Sequence, residues 1–363
     1  MARLRVFPEA PAGRGRYPIY MKRNCRSLRV ALLGEGEDAE RWAAILSGPT
    51  ELCSLHEELP GRIDALVLAP GCSDPFARAK EALEADIPVL YAAPFLLSPW
   101  QAGTLTNLSR AQGRLLQFAE PFRYRRGFSF LQRLLAGEEP FWCPLYLRGL
   151  RVAPPGEPAR IDELATEELA ICQTLLGGTP HSVTAVASRR DEVAEVCAVF
   201  LTLQYRNGLL AQCTISLAEE NGISEVVVTT PSRTVVLDDQ DPVAPLRFVG
   251  GKDTDLFAEG AAFVTAPQGR AQGAPALDPL AEEAQCFLSA VAAGDGSHGN
   301  GERWTQVAAL WWAARQSMSF GGPAEVPSIR PGDAAPPPFR VIRGGGKTVP
   351  AVGRRPRLTV VAR

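Results

Sequence analysis

Residues Ser27–Leu46, SLRVALLGEGEDAERWAAIL, decide the fold. From Val30 to Leu33 every position is apolar, the pattern of a strand buried on both faces. Gly34-Glu35-Gly36-Glu37-Asp38 reads as a tight turn. Residues 39–46 carry helical periodicity, with Asp38 expected as the N-cap. A strand, a glycine turn and a helix in that order open a doubly wound sheet.

The pattern then repeats outward. A short second strand is expected near Leu52–Leu55. Ile63–Ala69 (IDALVLA) is a further buried strand, closed by Pro70-Gly71. Pro75–Ala85 is amphipathic and helical, Ile87–Tyr91 is a strand stopped before Pro94, residues 99–113 are helical, and Leu115–Ala119 is a strand. Strands that alternate with helices and are apolar throughout predict a parallel, Rossmann-like doubly wound sheet.

The texture changes near residue 120. A helix over Phe128–Leu135 is followed by longer, two-residue-periodic strands at 144–152, 183–189, 195–205, 209–217, 223–230 and 233–237. Asn207-Gly208 between two of them is a hairpin signal. One helix, Asp162–Leu176, interrupts the strands and ends at Gly177-Gly178. Two further helices are expected near 278–293 and 302–317. This half reads as an α+β domain with a large, mostly antiparallel open sheet. The expected organisation is an N-terminal extension (1–27), a Rossmann-like dinucleotide-binding-type domain (28–120), an α+β substrate or dimerisation domain (121–330) and a Pro/Gly-rich tail (331–363).

The composition excludes several classes. The chain has 363 residues, 46% apolar and 21% charged, with a formal net charge of −2. That balance is unlike disorder, and unlike a polycation that binds nucleic acid. Eight cysteines form no CxxC pair and no histidine stands at ligand spacing from them, so no metal site is expected. Scattered cysteines suit a reducing cytoplasm. No apolar run approaches the length of about 18 residues that spans a bilayer. The Arg-rich N-terminus lacks the apolar core of a secretory signal. Only four of the 38 basic residues are lysine, and there are three histidines, His56, His181 and His298.

Several stretches, taken in order, resemble the Gfo/Idh/MocA family, the glucose–fructose oxidoreductase and inositol dehydrogenase relatives. VALLGEGEDAERWA resembles the first strand, glycine turn and helix. DALVLAPGCSDPFARAKEALEADIPVLYAAP resembles the block that ends in a Glu-Lys-Pro motif. FAEPFRYRRGFSFLQRLLAGEEPFWCPLYLRG resembles the domain crossover, and LAEEAQCFLSAVAAGDGSHGNGERWTQVAALWWAARQS the two closing helices. The resemblance spans about residues 28–328. It implies NAD or NADP as cofactor, a sugar, cyclitol or related small hydroxy or keto compound as substrate, and pairing through the open face of the second sheet. That pairing would give a homodimer, or a heterodimer with an active relative.

Residue by residue, the resemblance places Gly34, Gly36, Ala39, Pro70 and Pro94 on the cofactor side. Arg123 and Arg125, in the cluster Arg123-Tyr124-Arg125-Arg126, fall beside the substrate cleft and suit a carboxylate or phosphate. The family's lysine, which supports hydride and proton transfer, falls on Ala93 of Ala92-Ala93-Pro94. Its catalytic histidine falls on Glu167, and no histidine occurs from 57 to 180. If the protein is active, Glu167, Tyr91 and Tyr124 are the candidate acid–base groups. The turn also holds Glu35, Glu37 and Asp38, and each carboxylate repels a pyrophosphate by about 1 kcal/mol in water. The sequence therefore reads as a dehydrogenase homologue without the usual Lys and His: a degenerate partner, scaffold or sensor. The alternative is a divergent NAD(P)-dependent oxidoreductase.

Overall fold

The computed structural model describes residues 28–48, 50–54, 63–136, 143–155, 159–190, 195–231, 233–241, 245–249 and 278–330. The expected extension 1–27, the tail 331–363, His56, Lys22, Lys252 and Lys347 lie outside the described residues.

The first layer is built from β1 (Leu28–Leu33), α1 (Glu37–Ser47), β2 (Thr50–Ser54), β3 (Ala65–Leu68), α2 (Pro75–Glu84), β4 (Val89–Tyr91), α3 (Pro99–Gln112) and β5 (Leu116–Phe118). The five strands are parallel, in the order β2-β1-β3-β4-β5. β3 and β4 are buried at every residue, the burial pattern of strands covered on both faces. Trp42 and Leu46 of α1 cluster with Val30, Val67 and Leu90 on one face. Ala79 and Leu83 of α2 and Leu105 of α3 cover Leu66, Val89 and Leu116 on the other.

Asp38 is not the cap of α1. The helix begins at Glu37, Gly36 is its N-cap at φ 87°, and no side chain closes it. Glycine reaches that backbone region without a Cβ penalty, so the helix starts earlier than a side-chain cap at Asp38 would allow. Asp38 instead lies exposed in the first turn.

The second half runs through a 3-10 turn (Pro121–Tyr124), α4 (Arg126–Leu135), β6 (Tyr146–Val152), α5 (Ala159–Leu176), β7 (Ser182–Arg190), β8 (Glu195–Gln204), β9 (Leu210–Ser216), β10 (Ile223–Thr229), β11 (Thr234–Asp238) and β12 (Leu246–Val249). It closes with α6 (Pro279–Ala293), a 3-10 turn (Gly296–His298), α7 (Gly301–Phe320) and β13 (Ala324–Glu325). The sheet has eight strands in the order β12-β11-β10-β6-β9-β8-β7-β13. Every pairing is antiparallel except β6 with β9, which is parallel.

The Asn207-Gly208 signal does join two antiparallel strands, but through the five-residue loop 205–209. Gly208 takes φ 87°, and the Asn207 side chain accepts from the Leu209 amide. Gly177 and Gly178, both at φ 63°, end α5. β12 and β13 were not anticipated. At four and two residues they are too short to carry a period.

The chain after residue 120 does not stay with the second sheet. α6 packs Phe287 and Leu288 against Val30 and Val67 of the first sheet, and α7 joins α3 through Thr106 and Thr305, whose hydroxyls lie 3.1 Å apart. The two sheets thus share one compact unit. None of the described helices is long and apolar enough to cross a membrane.

Candidate functional site

In an open parallel sheet the ligand crevice lies beyond the carboxyl ends of the strands, where strand order reverses. Here the reversal falls between β1 and β3. Gly34 and Gly36 follow β1, and Pro70 and Gly71 follow β3, so four expected or neighbouring residues meet at that point. The Glu35 amide donates to the Pro70 carbonyl at 3.0 Å, and the Ala69 amide to the Leu33 carbonyl at 2.7 Å. A Cβ on Gly34 would stand 2.6 Å from the Pro70 oxygen, so only glycine fits. A Cβ on Gly71, at φ 79°, would likewise stand 2.5 Å from the Glu35 carbonyl oxygen. The turn is therefore fastened to the exit of β3. Ala39 is buried among Trp42 and Val67, where a small residue lets α1 approach the sheet. The uncapped start of α1 leaves the helix dipole facing the crevice, but Glu35, Glu37 and Asp38 are exposed around it.

Beyond β4, Ala93 is 7% exposed and packs in the large apolar cluster with Tyr91, Phe95 and Phe118. Pro94 is half-buried. Tyr91 is 2% exposed, with its ring 5.2 Å from that of Phe118. Burial, then the nearby Cys72 and Asp74, push its hydroxyl far above the ordinary tyrosine range. Asp74 caps α2 by accepting from the Ala77 amide. Tyr91 thus keeps its proton near neutral pH and is a poor base.

The cluster after β5 is occupied by internal partners. Arg123 pairs with Glu120 at 3.2 Å, and Arg125 with Asp239 at 2.7 Å. Both guanidiniums expected to hold a substrate anion thus already face a carboxylate. Tyr124 is hydrogen-bonded to Cys286 of α6, and burial foremost raises its pKa far above the ordinary value.

Around Glu120 lies a buried network that no sequence signal marked. Its carboxylate accepts from Trp304 Nε1 at 3.0 Å and faces Arg303 Nε at 3.2 Å. The Glu283 Oε1 atom accepts from the Glu120 amide and from Gln117. Asn300 bonds both the amide and the carbonyl of Phe118. Burial raises the Glu283 pKa to about 8. These partners lie 163 to 184 residues apart in sequence, so no spacing rule links them.

Glu167 sits on α5, one-third exposed, with its carboxylate 3.5 Å from Arg151 of β6. Its neighbour Glu168 is 1% exposed, also reaches Arg151, and has its pKa raised by burial to about 7. Tyr91, Tyr124 and Glu167 therefore stand in three separate sets of neighbours. The crevice residues Gly34, Gly36 and Pro70 do come together.

No family model matches this chain. It is 27% identical over 246 residues to UDP-N-acetylglucosamine 3-dehydrogenase of Acidithiobacillus ferrooxidans, covering 65% of this chain and 73% of that protein. The solved structure of that enzyme superposes with a TM-score of 0.66 at 20% identity, covering 82% of this chain and 99% of the other. The myo-inositol 2-dehydrogenase of Lactobacillus plantarum gives a TM-score of 0.64 at 14% identity, covering 83% and 100%. GenD2 from gentamicin A biosynthesis, solved in complex with NAD, gives 0.65 at 16%, covering 84% and 97%. The chain is thus similar in sequence to one of these dehydrogenases and shares the fold of all three.

Proposed function

We propose that this chain is a catalytically degenerate dehydrogenase homologue that serves as a partner subunit, scaffold or small-molecule sensor. Ala93 carries the reading. A buried methyl follows β4 where the resemblance calls for a lysine, and a methyl neither holds a proton nor stabilises charge. Among the described residues, no lysine or histidine compensates. Lys80 lies on α2 and pairs with Glu84 at 2.9 Å. His181 enters β7 of the other sheet. His298 ends the 3-10 turn whose Gly296 lies against Gly113, ahead of β5 and so at the amino end of that strand, away from the carboxyl-end crevice.

The three exposed carboxylates at the glycine turn favour weak NAD(P) binding or none. Pairing runs through the outer face of the eight-stranded sheet, as a homodimer or with an active relative. The free cysteines suit a reducing cytoplasm.

The test is turnover. Purified full chain is mixed with NAD⁺ or NADP⁺ and UDP-N-acetylglucosamine, the substrate named for the relative above, and reduced nicotinamide is followed by fluorescence. No reduction is expected; sustained reduction would overturn the proposal. One observation favours a second reading, a divergent NAD(P)-dependent oxidoreductase: Gly34 and Gly36 keep an open turn before an uncapped helix. Tight NAD(H) or NADP(H) binding in a titration without substrate would support that reading.

A further inference from the structure

A second cluster of chemically capable side chains lies far from the glycine turn, between α5 and the inner face of the eight-stranded sheet. Glu168 and Cys172 stand four residues apart on α5 and so share one helix face. Cys213 lies on β9, directly opposite Gly149 of β6. One carboxylate oxygen of Glu168 and the two sulfurs all lie within 4.8 Å of one another, and all three side chains are buried. The sulfurs are 3.5 Å apart.

The arrangement is left incomplete by the protein itself. Neither oxygen of Glu168 has a hydrogen-bond partner, although the residue is 1% exposed. The Arg151 guanidinium approaches only to 3.5 Å. The Tyr205 hydroxyl, which follows β8 and feels both thiols electrostatically, is likewise buried without a partner. Burying a carboxylate is costly unless it is both paired and hydrogen-bonded, and Arg151 supplies the opposite charge without a close hydrogen bond. Gly149 leaves the necessary space, because a Cβ there would overlap the Glu168 carboxylate.

We propose that Glu168, Cys172 and Cys213 hold one thiophilic divalent cation, zinc by preference, as a structural clip between α5 and β9. Two sulfurs and one carboxylate oxygen are donors that zinc takes in four-coordinate sites, and the unpartnered Tyr205 hydroxyl is the group on hand for the fourth position. Tetrahedral coordination at about 2.3 Å per sulfur needs the sulfurs about 3.8 Å apart, a small displacement from the observed spacing. Binding displaces the two thiol protons to solvent. Two thiolates and one carboxylate then face the dication, and Arg151 cancels the remaining negative charge. The cluster has no surface opening through these residues, so the ion enters as the chain folds.

The experiment uses the full chain, made in cells supplied with zinc, or with cobalt in its place, and purified without chelator. About one metal per chain is expected, and the cobalt form should show thiolate-to-cobalt charge-transfer absorption. Cys172→Ser and Cys213→Ser should each lose the metal, whereas Cys143→Ser, at an exposed position, should retain it. The wild-type cobalt spectrum decides the matter even if the core variants do not fold. A folded wild type free of metal, metal that persists in Cys172→Ser, or a native Cys172–Cys213 disulfide found by mass spectrometry would each overturn the proposal.

Discussion

At the residue scale, the network around Glu120 sets the energetics. Glu120 neutralises Arg303 and Arg123 and satisfies Trp304 in a nearly dry site. Removing one partner of a buried pair leaves the other charge uncompensated. Glu120→Ala should therefore lower stability by about 3 kcal/mol, read as a reduced urea midpoint. Glu283 gives a pH signature. Burial raises its pKa from 4.5 to about 8, so the fold favours the protonated form. Its stabilising contribution is complete below pH 4.5 and is lost as pH rises to about 8. Glu283→Gln keeps the acceptor for Gln117 and the Glu120 amide but cannot ionise. The variant should gain in melting temperature relative to the wild type between about pH 5 and about pH 8. Ala93 was legible in the sequence because it sits in a local motif. The Glu120 network was not, because folding alone brings β5, α6 and α7 together.

At the element scale, most strands and helices could be read from periodicity. β3 and β4 are apolar throughout because both faces of their sheet are covered. The strands of the second sheet alternate because only one face is. Boundaries were less legible: Gly36 begins α1 ahead of Asp38, since backbone freedom at a glycine displaced the side-chain cap. The contact between the glycine turn and β3 makes a sharp prediction. Gly34→Ala would drive a methyl to 2.6 Å from the Pro70 carbonyl, which is backbone and cannot step aside cheaply. The variant should fold with unchanged circular dichroism but lose about 1–3 kcal/mol in denaturant unfolding.

At the scale of the whole molecule, the eight-stranded sheet buries one face under α5 and α7, and apolar side chains of the other face are exposed among the described residues. Val186 and Phe200 stand directly opposite one another on β7 and β8, 61% and 46% exposed. Leu210 on β9 is 41% exposed. Apolar residues gathered on one sheet face mark an interaction surface. Phe200→Asp should shift the protein toward monomer in light scattering after size exclusion, with its melting temperature little changed. A wild type that is monomeric at all concentrations would refute the pairing proposal.

The sequence by itself determined the fold class and the family resemblance, and through that resemblance the expectation that Ala93 takes a lysine's place. Hydrophobic periodicity and glycine turns are local properties that a linear chain displays directly. Only the tertiary structure decided which charges meet. It turned Arg123 and Arg125 toward internal carboxylates and placed Glu120 against Arg303. It also brought Cys172 beside Cys213, 41 residues away. The cysteines formed no recognisable motif because their ligand geometry comes from a helix packed across a sheet. Such spacing has no counterpart along the chain.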